Sequence, residues 1–95
     1  MANQEHADTQ TLSVTSNASK ANFGRPPLDE VYLYADTVTD GLVQVDFDRA
    51  PDTSTSFPLQ GRVVTRIRVN CNEVHAIAAS GTTTLYILGI RHNNP

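Results

Sequence analysis

Apolar and polar residues alternate in short runs over most of the chain from residue 29 onward. Alternation with a period of two is typical of β-strands that bury one face, and Gly, Asn, Asp and Ser separate the runs as turn residues. A helical period of 3.6 residues is sustained nowhere. The predicted strands cover residues 30–35, 42–48, 61–69, 73–79 and 82–91. The sequence therefore predicts an all-β fold, a small β-sandwich or partly open barrel of about five strands.

The last of these runs is apolar on both of its faces. Leu85, Ile87 and Gly89 alternate there with Tyr86, Leu88 and Ile90. A strand of this kind is typical of a central position in a sheet, or of a face that a partner covers. We therefore expect Tyr86 to anchor a contact with a sister subunit, together with Phe57 from the long polar loop at about residues 49–60.

The first 28 residues differ from the rest in composition, being rich in Asn, Gln, Ser, Thr and Ala. One weak strand pattern occurs at residues 11–15, with Leu12 and Val14 on one face. The remainder is too polar to bury enough apolar surface to offset the entropy cost of ordering. We divide the chain into an extended polar N-terminal arm, residues 1–28, and a β-domain, residues 29–95. The arm is expected to add Leu12 and Val14 to an exposed sheet edge of a neighbouring subunit.

The predicted domain is small for a protein that must fold alone. Small domains compensate with disulfides, metal ions or oligomerisation. Cys71 is the one cysteine of the chain, which excludes an intrachain disulfide, and no cluster of residues has the spacing of metal ligands. Oligomerisation is the compensation that remains, so we expect a homo-oligomer that uses no cofactor and no metal.

Charge is distributed unevenly along this chain, whose net charge is −3. Between residues 28 and 52, seven acidic residues accompany one arginine, whereas the part beyond residue 52 is basic. Asp46 and Asp48 form an acidic row on one predicted strand. A later strand carries a basic row of Arg62, Arg66 and Arg68. These rows are expected either to form cross-strand ion pairs or to dock one subunit on another.

Neither nucleic acid nor membrane is an expected partner. The arginine row lacks interleaved aromatic residues for base stacking, and the chain is acidic overall. No stretch approaches the roughly 18 apolar residues of a membrane span. The first ten residues lack the basic and apolar regions of a secretory signal, so we expect synthesis in a cytoplasm.

The sequence offers no arrangement typical of catalysis. Its histidines, His6, His75 and His92, are scattered along the chain. Cys71 has no histidine at the spacing of a nucleophile–base pair, and none of the common phosphate-binding, hydrolase or metalloprotease motifs occurs. We therefore predict a protein that is not an enzyme.

A calcium site is the one metal alternative that the acidic residues leave open. Residues 36–41 imitate the start of an EF-hand loop but lack its ligands at the third and twelfth positions, and no helical pattern flanks them. A shallow site formed by Asp36, Asp40 and Asp52 remains as an alternative. Solvated carboxylates in turns are the commoner outcome.

The last third of the chain carries a resemblance to a known class of proteins. The segments VVTRIRV at 63–69, VHAI at 74–77 and SGTTTLYILGI at 80–90 combine Thr/Gly-rich turns with a final apolar strand. In this they resemble the closing hairpins of small bacteriophage virion proteins, such as capsid decoration (cement) proteins and head or tail accessory subunits. The resemblance implies a β-fold subunit without catalytic residues that binds a capsid or tail lattice through arms and strand edges.

The sequence thus leads to two functional hypotheses. The first is a non-enzymatic structural subunit of a phage particle, located in the virion and bound to other virion proteins and to its own copies. Its predicted interface residues are Leu12, Val14, Phe57, Arg62, Arg66, Arg68 and Tyr86. The alternative is a glycan-binding β-module in which Tyr32 and Tyr34 stack on sugar and Asp36 and Asp40 are the polar partners.

Overall fold

The computed structural model describes residues 4–49 and 56–93. That part of the chain contains eight β-strands and no helix. The strands are β1 (Gln4–Val14), β2 (Ser19–Asn22), β3 (Leu28–Ala35), β4 (Val43–Phe47), β5 (Phe57–Pro58), β6 (Thr65–Cys71), β7 (Glu73–Ala78) and β8 (Thr83–Asn93). Nothing in the described ranges is a helix long and apolar enough to cross a membrane.

The strands form two four-stranded sheets. One has the order β1-β8-β3-β6 and the other the order β2-β7-β4-β5, and neighbouring strands are antiparallel throughout. Consecutive strands therefore cross repeatedly from one sheet to the other. This is the strand order of a jelly roll, the eight-stranded sandwich built from two Greek keys.

The core lies between the two sheets, and the alternation of side chains along each strand accounts for it. On β3, Val31, Leu33 and Ala35 are buried, whereas Tyr32 and Tyr34 between them face outward and are half-buried. The first sheet contributes Val14, Leu28, Val31, Leu33, Leu85 and Ile87 to this core, and the second contributes Ala21, Val43, Val45, Val74, Ala76 and Ala78. The predicted all-β sandwich class agrees with this arrangement.

The structure has eight strands where the sequence pattern predicts about five. Two of the additional strands, β1 and β2, lie within the predicted arm. β1 pairs with β8 over eleven positions, from Gln4 opposite Asn93 to Val14 opposite Thr83, and β2 pairs with β7. Residues 4–22 thus supply one edge strand to each sheet of their own chain. The alternation indicated only the last part of β1, at residues 11–15, because Asp8 and Gln10 occupy the inward positions of its first half.

β8 lies between β1 and β3 in its sheet, which explains why the sequence of this strand is apolar on both faces. Its inward residues Leu85 and Ile87 are buried in the sandwich core. Its outward residues, by contrast, lie on the free face of the sheet.

Candidate protein-binding surface

The outward face of sheet β1-β8-β3-β6 collects aromatic and apolar side chains in one place. In the register of β3 and β8, Tyr34 lies opposite Tyr86 and Tyr32 opposite Leu88. Val64, just before β6, adjoins them from the far side of β3. We call these five residues the aromatic face. A concavity of about 430 Å³ lies on it, bordered by the β1 segment 9–11.

The rings of the aromatic face are held by contacts among themselves. The ring centroids of Tyr34 and Tyr86 are 6.0 Å apart at an interplanar angle of 55°, a tilted arrangement that aromatic pairs favour. The guanidinium of Arg66 lies 5.9 Å from the centroid of the Tyr32 ring. Even so, Tyr86 is 48% exposed and Val64 61% exposed. The face is therefore ordered but not covered by the described part of the chain.

A group of charged residues, the charged corner, borders the aromatic face where β3, β6 and β8 lie side by side. It consists of Asp29, Glu30, Arg66, Arg68 and His92, which line a second concavity of about 350 Å³. Glu30 is only 6% exposed although it faces outward. Arg66 Nε donates to its Oε1 at 2.6 Å, and His92 Nε2 lies 2.7 Å from its Oε2.

These contacts fix the charge state of Glu30. The hydrogen bond from Arg66 and then that with His92 lower the pKa of Glu30 from its ordinary value of 4.5 to about 2. Asp29 adds to the order of the corner, since its Oδ2 accepts the backbone N–H of His92 at 2.6 Å. The carboxylate of Glu30 is thus a fixed negative charge at the edge of the aromatic face, with Arg66 directly beside it.

Arg91, which the sequence analysis left unassigned, anchors one end of the sandwich. Its side chain points inward at the end of β8 and is 7% exposed. Nε donates to the carbonyl of Pro26 at 2.6 Å, and the two terminal nitrogens donate to the carbonyl of Phe23 and to the carboxylate of Asp8. One guanidinium therefore joins β8, β1 and the connection between β2 and β3. Its only sequence signature is a charged residue at an inward position of an apolar strand.

The structure gathers some of the predicted interface residues and separates the others. Arg66, Arg68 and Tyr86 lie together on the outward face of the first sheet. Val14 is fully buried and Leu12 is partly buried against the core, so these side chains serve the fold of their own chain. Phe57 is exposed, but it lies on β5 in the other sheet.

The predicted acidic and basic rows do not pair with each other, because they lie in different sheets. Asp46 on β4 binds Arg49 Nε at 2.8 Å. Asp48 Oδ1 accepts the backbone N–H groups of Asn72 and Glu73, both at 2.8 Å. On the basic side, Arg66 pairs with Glu30, and Arg62 pairs with Asp36 at 3.2 Å. The expectation of ion pairs across the two rows is therefore wrong.

The described residues contain no group of three or more His, Cys, Asp or Glu side chains placed to hold a metal ion. Of the predicted calcium ligands, Asp36 binds Arg62, and Asp40 Oδ1 accepts the N–H of Gly61 at 2.8 Å. Asp52 lies outside the described residues.

The thiol of Cys71 is not placed for nucleophilic chemistry. Its side chain is buried, and burial, followed by the negative charge of Asp48, raises its pKa to about 11. His75 Nε2 lies 2.8 Å from Glu73, which Lys20 also binds at 3.3 Å. Glu73 therefore contacts His75 on its own strand, β7, and Lys20 on the neighbouring strand, β2.

No family model matches the chain, and comparisons with curated proteins and with solved structures found no significant match. The strand order and the outward face of the first sheet therefore carry the functional argument.

Proposed function

We propose that this chain is a non-enzymatic structural subunit of a viral (phage) particle, a capsid decoration (cement) or accessory protein. In this proposal it is made in the host cytoplasm, resides in the virion, and binds other virion proteins and copies of itself. The observation that carries the proposal is the aromatic face, which the described residues leave uncovered, on a small β-sandwich with the strand order of a jelly roll. Viral capsid domains and lectins share that architecture.

The chemistry of the aromatic face favours a protein partner. Tyrosine and arginine are enriched among the residues that dominate binding energy at protein interfaces, and Tyr86 and Arg66 stand at the centre and the rim of this face. Burial of apolar surface stabilises an interface by roughly 25 cal/mol per Å² before the costs of association are subtracted. The charged corner beside the face supplies the polar rim that fixes orientation.

The pairing of β1 within its own chain changes how such a subunit engages its neighbours. The composition of residues 1–28 predicts an arm that adds Leu12 and Val14 to a sheet edge of a neighbouring subunit. Residues 4–14, however, form an edge strand of the subunit itself. The proposal therefore assigns the contact with neighbouring subunits to a sheet face and sheet edges, with Tyr86, Arg66 and Arg68 as the retained interface residues.

The glycan-binding alternative uses the same tyrosines but has less support. Tyr32 and Tyr34 do face outward. The carboxylates proposed to orient the sugar are occupied, since Asp36 binds Arg62 and Asp40 accepts the N–H of Gly61. Binding to a glycan array that disappears in Tyr32→Ala would favour this alternative over the structural subunit.

The test of the proposal is whether the chain belongs to a particle. Particles from a source that expresses the chain are purified on a density gradient, and the copy number of the chain per particle is measured by quantitative mass spectrometry. A constant, high copy number relative to the major shell protein is expected. A chain that stays at the top of the gradient, separate from every particle fraction, would overturn the proposal.

A further inference from the structure

The four sheet edges of the sandwich differ in how well they are protected against pairing with another strand. β2 has four residues, and β5 has two, one of which is Pro58. β6 has seven residues and, besides Arg66, which pairs with Glu30, it carries the exposed Arg68; a charged side chain on an edge strand disfavours pairing with another strand. β1 has eleven residues without a proline. Its acidic residues are Glu5, near its N-terminal end, and Asp8, which is paired with Arg91 of the same chain.

The hydrogen-bond pattern shows which backbone groups of β1 point away from its sheet. The carbonyl of Thr84 on β8 accepts the N–H of Asp36 on the β3 side, so the even-numbered residues of β8 bond toward β3. Its odd-numbered residues therefore bond β1, where their register partners are the even-numbered residues. The backbone N–H and C=O groups of the odd-numbered residues of β1 consequently point outward.

One end of this outward edge is already occupied. The carbonyl of Ser13 accepts a hydrogen bond from Ser19 Oγ at 3.4 Å. Further along the edge, the outward groups of Ala7, Thr9 and Thr11 have no partner within the described chain, and the side chains of all three residues are exposed. These three positions are arranged symmetrically about Thr9.

From this edge we infer that two copies of the chain pair antiparallel through β1, with a two-fold axis at Thr9. An axis there sets Thr9 opposite Thr9 of the second copy and Ala7 opposite Thr11, so that Ala7, Thr9 and Thr11 all gain a partner. Antiparallel pairing of one strand with itself meets the requirement of a two-fold interface, in which the same patch serves on both subunits. Asp8 then faces Gln10, so like charges do not meet.

The paired copies form one continuous eight-stranded sheet. Its order is β6-β3-β8-β1 followed by the same strands of the second copy in reverse. Thr9 and Thr11 border the concavity of the aromatic face, so the two aromatic faces adjoin across the axis and form one larger surface. This inference concerns self-association alone and does not depend on the proposed function.

Charge substitutions at Thr9 test both the location and the register. Thr9→Lys and Thr9→Glu leave the β1–β8 hydrogen bonds intact, because the backbone groups of Thr9 point away from β8. In a homodimer each substitution sets like charges directly opposite each other, which is destabilising, whereas a mixture of the two sets opposite charges opposite each other. Thr82→Lys, at an exposed position in the turn before β8, is the matched control.

The experiment measures mass by analytical ultracentrifugation over micromolar to millimolar concentration, with circular dichroism to verify folding. The unsubstituted chain and Thr82→Lys are expected at twice the chain mass of 10.3 kDa. The dimer dissociation constant is expected to rise about tenfold or more in each Thr9 variant, equivalent to about 1.4 kcal/mol, and to recover in their equimolar mixture.

Three results would overturn the inference. The first is an unsubstituted chain that remains monomeric at millimolar concentration. The second is a dimer that neither Thr9 variant weakens, since the contact would then lie on another surface. The third is weakening by both variants without recovery in the mixture, because Thr9 would then not face its own copy.

Discussion

At the scale of single residues, polar side chains hold the ends and borders of the sandwich where apolar packing stops. Arg91 and Glu30 are the two most informative examples. Each is nearly inaccessible to solvent, and each has charged or carbonyl partners that come from segments distant in sequence. A buried polar group is tolerated because its partners replace the water that it loses.

Replacement of Arg91 is expected to destabilise the fold strongly. Arg91→Met leaves the carbonyls of Phe23 and Pro26 without their donor, and each buried polar group left unsatisfied typically costs about 1–3 kcal/mol. Arg49→Met is the matched control, because the Arg49–Asp46 pair has an exposed arginine and is expected to contribute less than about 1 kcal/mol. Urea unfolding measures both free energies, and equal effects of the two substitutions would contradict the anchoring role of Arg91.

Glu30 is expected to make stability depend on pH in acid. Because the folded state lowers its pKa from 4.5 to about 2, the folded protein binds a proton less readily than the unfolded chain. The stabilisation is therefore complete above pH 4.5 and is lost as the pH falls toward 2. The free energy of unfolding is measured across this range for the unsubstituted chain and for Glu30→Gln. Identical pH dependence in both proteins would exclude this contribution.

At the scale of strands, the alternation of residues predicted the elements with a continuous apolar face. β3, β4, β6, β7 and β8 each overlap a predicted run. Of β1 only the weak pattern at residues 11–15 was predicted, and β2 was missed, because few of their inward positions are apolar; β5 was missed because it has only two residues. Strand partners are set by contacts between distant segments, which one sequence does not reveal.

The same limit applies to the candidate surface. Alternation places Arg66, Arg68 and Tyr86 on outward positions, and the structure brings them onto one face. The neighbourhood of Tyr34 and Tyr86 depends on the register of β3 with β8. That register joins residues about fifty positions apart, so the sequence alone did not predict the aromatic face.

The integration of β1 into the sandwich predicts unequal effects of two substitutions on this strand. Val14→Ala removes two methyl groups from the closed core and is expected to cost about 1.5–3 kcal/mol. Thr11→Ala, on the exposed face of β1, is expected to change the free energy of unfolding by less than about 0.5 kcal/mol. Chemical unfolding compares the two. A Val14→Ala effect as small as that of Thr11→Ala would mean that β1 does not pack on its own chain.

At the scale of the whole molecule, the strand order determines which surfaces face outward. Crossing between the sheets buries β8 and β3 in the middle of one sheet and leaves β1 and β6 at its edges. The aromatic face and the β1 edge therefore adjoin, and one molecule offers a face and an edge to its surroundings. A structural subunit that must contact several neighbours requires more than one contact surface of this kind.

The proposed role of the aromatic face in binding to a viral particle can be tested directly by one binding measurement. Purified chain carrying Tyr86→Glu is added to particles that have been depleted of the protein, beside the unsubstituted chain and the control Thr82→Glu. Because Tyr86 is about half exposed, the substitution is expected to leave the fold intact, as circular dichroism would verify. Thr82→Glu is expected to rebind like the unsubstituted chain, and Tyr86→Glu is expected to bind at least about tenfold more weakly. Full rebinding of Tyr86→Glu would exclude this role of the aromatic face.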